Sequence, residues 1–235
     1  MQLQKLDSGL LRYLVEKDLE IGERLPSLTK LSGELGISVG KLREQLELAR
    51  QLEIVSVRPR TGIRREPYRF APGMLTSLLY GLASGDARFS QYSVLRQAVE
   101  ASFWDEAVRG LTPADMVTLR RLVASAWQRL RGDPVHIPSQ EHRALHLTIF
   151  GRLDNPFVFG LLEAYWDAYE ASEMTRFATY SYWVTVWTYH ERIVEAVAAG
   201  HFDEGRRLLV EHFDLLRELP TGSNGSPRGN GGGAG

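Results

Sequence analysis

Apolar residues recur at three- and four-residue spacing along most of the chain, as in Leu6, Leu10, Leu11 and Leu14 and again in Leu42, Leu46 and Ala49. That period places them on one face of a helix, so the chain reads as mainly α. One short stretch breaks the pattern. In "EIVSVRPRTGIRREP" the strand-forming Ile54, Val55 and Val57 lead to Pro59 and Gly62, and Ile63 resumes on the far side, which predicts a small β-hairpin. Next comes "EPYRFAPG", where Pro67 and Pro72 oppose continuous helix and mark a join near residue 70.

Beyond the join, helices are predicted at 74–83, 90–109, 113–130, 139–151, 156–177, 181–199 and 202–216. Thr112 with Pro113 and Asn155 with Pro156 each pair a capping side chain with a proline at the first helical position, where the missing N–H costs nothing. The end of the sequence, "PTGSNGSPRGNGGGAG", is glycine- and serine-rich without an apolar anchor and predicts a disordered tail. The expected domains are therefore 1–70, 71–219 and a tail at 220–235.

Composition narrows the picture. The 235 residues include no cysteine, so no disulfide and no thiolate zinc site supports the fold. No stretch is apolar for the roughly 18 residues that a membrane helix needs, which with the charged N-terminal segment leads to the expectation of a soluble, cytoplasmic chain without a membrane partner. The net charge is −1, yet Arg58, Arg60, Arg64, Arg65 and Arg69 crowd the hairpin against Glu66 alone, an excess that suits a polyanion.

Residues 27–51, "SLTKLSGELGISVGKLREQLELARQ", have the grammar of a helix-turn-helix. Leu28, Leu31 and Leu35 make one apolar stripe, Gly36 permits the reversal, and Ser38 caps a second helix that Ile37, Leu42 and Leu46 bury. Ser38, Val39, Gly40, Lys41 and Arg43 then lie at the end that a recognition helix presents to base edges and phosphates. The arginine-rich hairpin follows as a wing, with Arg58, Arg60, Gly62 and Arg64 as candidate DNA contacts. The stretch "GERLPSLTKLSGELGISVGKLREQLELARQLEIVSVRPRTG" resembles the winged helix of the GntR transcription regulators, which bind operator DNA. The resemblance makes Arg43 the recognition-helix arginine and Gly62 the wing-tip glycine. Thr29 and Val39 depart from the residues usual in that family, so no operator sequence carries over.

In "SQEHRALHLTIF" His142 and His146 stand four apart, on one helical face, where they can converge on one ion. His190 and His212 fall on the two helices flanking Gly200, and an antiparallel pair can bring them level. Three or four imidazoles from three helices form a borderline nitrogen site suited to a divalent metal, zinc or nickel first. Histidines at this spacing are also common as ordinary core or surface residues. His136 and His201 have no such company. Zinc-protease chemistry needs glutamate directly after the first histidine, where Arg143 stands, and a di-iron bundle needs glutamate three before a histidine, which none of the six has. No catalytic residue is identified, and no enzyme is expected.

From about Tyr92 to Arg217 the chain resembles FCD, the all-α ligand-binding domain of the FadR branch of the same family. "LRQAVEASFWDEAVRGLTPADM", "LHLTIFGRLDNP", "HERIVEAVAAG" and "EHF" carry the likeness. Metal-binding members use an aspartate four residues before a histidine and two later histidines. The resemblance thus makes His146, His190 and His212 ligands and puts His142 in place of the aspartate, one negative charge fewer, a change that favours zinc, nickel or copper over manganese. It also implies a small organic acid as effector, whose carboxylate Arg96 clamps, unless Arg96 pairs with Glu100 instead. The aromatic run from Tyr165 to Tyr189, with Trp166, Trp183 and Trp187, packs a core or dimer contact and in part lines a ligand cavity. The function expected is that of a homodimeric, ligand-responsive regulator on a near-palindromic double-stranded operator. The alternative is a helical metal-binding or structural protein without sequence-specific DNA binding.

Overall fold

A computed structural model describes residues 3–172 and 178–215; the predicted tail at 220–235 lies outside them. A short 3₁₀ turn at Leu3–Lys5 precedes α1 (Gly9–Glu16), α2 (Leu28–Leu35), α3 (Val39–Gln51), the strands β1 (Val55–Arg58) and β2 (Gly62–Arg65), and then α4 (Ala71–Ser84), α5 (Phe89–Arg109), α6 (Pro113–Leu130), α7 (Ser139–Phe150), α8 (Pro156–Ala171), α9 (Tyr180–Ala198) and α10 (Phe202–Asp214). The molecule is a winged helix-turn-helix followed by an all-α bundle. Its packing falls into two compact units, Met1–Arg96 with Leu153–Ala171, and Gln97–Arg152 with Ser172–Gly235.

In the first unit each helix of the winged motif begins on a serine. Ser8, Ser27 and Ser38 accept hydrogen bonds from the amides of Leu11, Lys30 and Lys41, satisfying donors that have no partner within the helix. Gly36 ends α2 at φ 64°, a left-handed conformation that side chains resist, and so allows the short turn into α3. Leu10, Leu31 and Leu42 are wholly buried with Tyr13, Leu14, Leu25, Ala49, Val55 and Ile63. Burial of each such leucine contributes roughly 1.5–3 kcal/mol. Gln45 of α3 accepts the Leu10 amide at 2.9 Å, tying α3 to α1.

The hairpin pairs Val55 with Arg65 and Arg58 with Gly62, antiparallel, as its alternation predicts. Less expected is a third extended segment at the foot of the wing. The Leu25 amide donates to Ile63 O at 2.9 Å, the Gly22 amide to Arg65 O at 2.8 Å, and the Arg65 amide to Glu23 O at 3.0 Å.

Pro72 sits inside the first turn of α4, which begins three residues earlier than predicted; a proline there loses no helical hydrogen bond. Gly160 of α8 lets the α4 start approach closely, since a Cβ at this position would stand 2.7 Å from Phe70 Cβ. Arg69 bridges Glu53 and Glu163, the latter at 2.7 Å.

The second unit contains α6, α7, α9, α10 and the remainder of α5. Thr112 and Asp115 form a full capping box at the start of α6, and in the first unit Asn155 accepts the amides of Phe157 and Val158 at the start of α8, both as the proline spacing predicts. Trp104 of α5 donates to Phe202 O at 2.9 Å, and Gly205 of α10 gives its ring room. The helix predicted at 156–177 is described only to Ala171, because 173–177 fall outside the described residues.

Candidate metal centre and nucleic-acid interface

Ser38 holds the N-terminus of α3 and leaves Lys41 and Arg43 exposed on its first turns. Lys41 donates to Glu44 at 2.9 Å, and that hydrogen bond, with the charge of Glu44, holds its ammonium above the usual lysine value. Both side chains are solvated, so the pair is weak and Lys41 can exchange partners. Arg43 makes no ion pair among the described residues and is the uncommitted cation of this helix end.

At the wing tip Arg58 and Arg60 are exposed, again without ion pairs among the described residues. Arg64 is different: it is half-buried and donates to Gly22 O at 2.6 Å, so it fastens the base of the wing. Gly62 has φ 80°, and a Cβ there would lie 2.9 Å from Nε of Arg24. Glycine meets both demands. Arg24 thus joins the cationic surface beside the wing, although it precedes the helix-turn-helix and nothing in its local sequence marks it.

The histidines lie in the second unit. Leu145, Ile149 and Phe150 bury one side of α7, and this brings His142 and His146 inward with them. Glu141 turns instead to α6, where it accepts from Ser125 at 2.9 Å and pairs with Arg129 at 2.6 Å. On α9, His190 shares its buried face with Trp183, Trp187 and Val194, and on α10 His212 is buried beside Leu208, Leu209 and Phe213.

His142, His146, His190 and His212 are each at most 1% exposed, and a nitrogen of each lies within 4.8 Å of one from every other. Nε2 of His146 is 3.2 Å from Nε2 of His190. Tetrahedral coordination at a metal–nitrogen distance near 2.05 Å separates two donor nitrogens by about 3.3 Å, so this pair already has the spacing of a shared ion. The four rings form a buried cluster capable of coordinating a divalent metal. His136 and His201 are exposed and apart from it.

Behind the cluster Glu100 of α5, itself fully buried, sets Oε1 3.2 Å from Nδ1 of His146. A carboxylate on the far nitrogen favours the tautomer whose Nε2 lone pair faces the cluster. The sequence spacing pairs Glu100 with Arg96, its neighbour one turn away, and carries no sign of His146. Arg96 is fully buried in the first unit, with its guanidinium 4.7 Å from the Tyr165 ring centre and 5.2 Å from that of Trp166.

The FCD domain model matches residues 92–215, more than half of the chain. The "Putative L-lactate dehydrogenase operon regulatory protein" of Escherichia coli (strain K12) is 27% identical over 210 residues, covering 86% of this chain and 79% of the relative. Its namesake in Shigella flexneri matches to the same extent. Among solved structures, the Streptococcus agalactiae GntR superposes with a TM-score of 0.65 at 18% identity, covering 88% of this chain and 95% of that one, a likeness of fold. Among the described residues no helix is long and apolar enough to cross a membrane. The chain belongs to the GntR family of transcription regulators, in the branch that carries an FCD-type ligand domain, and is a regulator and not an enzyme.

Proposed function

We propose that the protein is a homodimeric regulator that binds a near-palindromic operator and releases or grips it in response to a small organic acid sensed at a zinc or nickel centre. Residues 1–70 read DNA and 71–219 hold the effector, the metal and the dimer contact. The observation that carries the reading is the convergence of four buried imidazoles from α7, α9 and α10.

His142, His146, His190 and His212 hold the ion, and as a neutral nitrogen set they favour zinc or nickel. When bound, the ion supplies a Lewis-acid position for a carboxylate oxygen of the effector. Glu100 fixes the His146 tautomer. The E. coli relative is named for an L-lactate dehydrogenase operon, which makes L-lactate the first acid to try.

On DNA, Ser38 presents the start of α3, Arg43 and Lys41 meet base edges and phosphates, and Arg58, Arg60 and Gly62 approach the backbone or minor groove from the wing. Arg64 supports that wing from its base. A dimer sets two such heads about one DNA turn apart. The acid changes occupancy provided that it binds the two conformations of the dimer unequally.

The test is native mass spectrometry of the purified full chain together with binding to a DNA fragment from upstream of its own gene. A dimer carrying one metal per chain, and DNA affinity that falls steeply with salt, are expected. Affinity that responds to L-lactate or another acid only in the metal-loaded protein completes the reading. A metal-free monomer with no salt-dependent DNA binding sinks it.

A further inference from the structure

Two buried donors stand beside the histidine centre. Trp183 and Trp187, one helical turn apart on α9, are 1% and 0% exposed, and neither indole N–H has a hydrogen-bond acceptor among the described residues. The other tryptophans of the same unit behave differently: Trp104 donates to Phe202 O at 2.9 Å and Trp127 to Glu191 at 3.2 Å. A buried indole N–H ordinarily finds a partner, because in water it has one. Both exceptions adjoin the centre. The ring centres of Trp183 and Trp187 lie 6.0 Å and 6.2 Å from that of His142, and Trp187 lies 4.9 Å from His190.

We propose that Trp183 and Trp187 are a donor pair that reads the effector, each N–H meeting an oxygen of the acid. This rests on the reading of the four-histidine centre as the effector site. An indole N–H only donates and carries no charge. It donates to a carboxylate, carbonyl or hydroxyl oxygen and leaves an ammonium group unpaired, while its ring keeps water from the body of the ligand. The ligand class is therefore an acid with a second oxygen acceptor, in preference to an amino acid of the same length. A donor left unpaired by the wrong ligand gives the discrimination.

The experiment uses the zinc-loaded full chain labelled with ¹⁵N, whose five tryptophans give separate indole N–H signals, assigned by single Trp→Phe variants. The probes are succinate, L-lactate and β-alanine, the last being succinate with one carboxylate replaced by ammonium. Succinate or L-lactate is expected to move the Trp183 and Trp187 signals downfield and slow their exchange with solvent, leaving Trp104 and Trp127 in place. By calorimetry Trp183→Phe and Trp187→Phe each weaken that acid about tenfold, and β-alanine binds at least tenfold more weakly than succinate. An acid whose binding needs zinc and His146, yet leaves both indole signals unmoved, overturns the donor pair and spares the metal site. Indole shifts that persist without metal and in His146→Ala keep the pair and overturn the metal-centred site. No binding of either acid to the zinc-loaded chain overturns both.

Discussion

Glu100 places a carboxylate oxygen 3.2 Å from Nδ1 of His146, while the opposite nitrogen of that ring stands 3.2 Å from His190. The imidazole is thus gripped on one side and offered on the other. Glu100→Gln keeps the shape and removes the charge, so the substitution is expected to weaken metal binding by about 10- to 100-fold. Competition with a chromogenic chelator reads the change, and an affinity equal to wild type rejects the role.

The nitrogen donor set carries a selectivity of its own. His142→Asp restores one anionic oxygen and is expected to raise affinity for manganese relative to zinc. Paired titrations of the two ions against wild type and variant measure the ratio, which an idle His142 leaves unchanged.

Loading the centre with an ion is expected to stabilise the folded state. An ion present at 100 times its dissociation constant contributes about 2.7 kcal/mol, which raises the melting temperature by roughly 5–10 °C in a chain of this size. Chelation reverses the gain and His146→Ala abolishes it; thermal melts with and without zinc provide the check.

Asp115 supplies a pH dependence independent of the histidines. Hydrogen bonds from the Arg152 guanidinium, first, and from the Thr112 hydroxyl and amide hold its carboxyl well below the ordinary value of 3.8. A group depressed on folding stabilises fully above its unfolded value and loses that contribution as the pH falls toward its folded one. Asp115→Asn is therefore expected to melt lower than wild type at pH 7, and the two curves to converge below about pH 4. Parallel curves across that range contradict the assignment.

The approach of α8 to the start of α4 depends on Gly160, where an added Cβ meets Phe70 Cβ at 2.7 Å and the Ala71 nitrogen at 2.9 Å. Gly160→Ala is expected to cost about 1–3 kcal/mol in denaturant unfolding. On the DNA side, Arg43→Ala should relax base preference at one operator position at a cost of about 1–3 kcal/mol, whereas Arg60→Ala should weaken all sequences alike and lower the salt slope by about one unit.

Periodicity and capping chemistry act within a few residues, which is why the helices beginning at Pro113 and Pro156 and the hairpin at Val55 and Ile63 were legible from the chain alone. Histidines drawn from helices 44 and 66 residues further along than His146 were legible for a different reason: the family pattern orders them, and packing brings them together. The hydrogen bonds of Leu25 and Gly22 to the wing left no trace in local sequence, since backbone groups carry no residue signature. The same holds for Glu100 at His146 and for Arg24 over Gly62. Each is a long-range contact set by the packing of two elements whose separate patterns say nothing of their partner.

The three backbone hydrogen bonds between residues 22–25 and β2 have a mechanical consequence. They weld the wing to the segment that launches α2, and Gln45 locks α3 onto α1, so the reading head behaves as a single stiff casting. Displacing the wing is therefore expected to disturb the start of α2 with it.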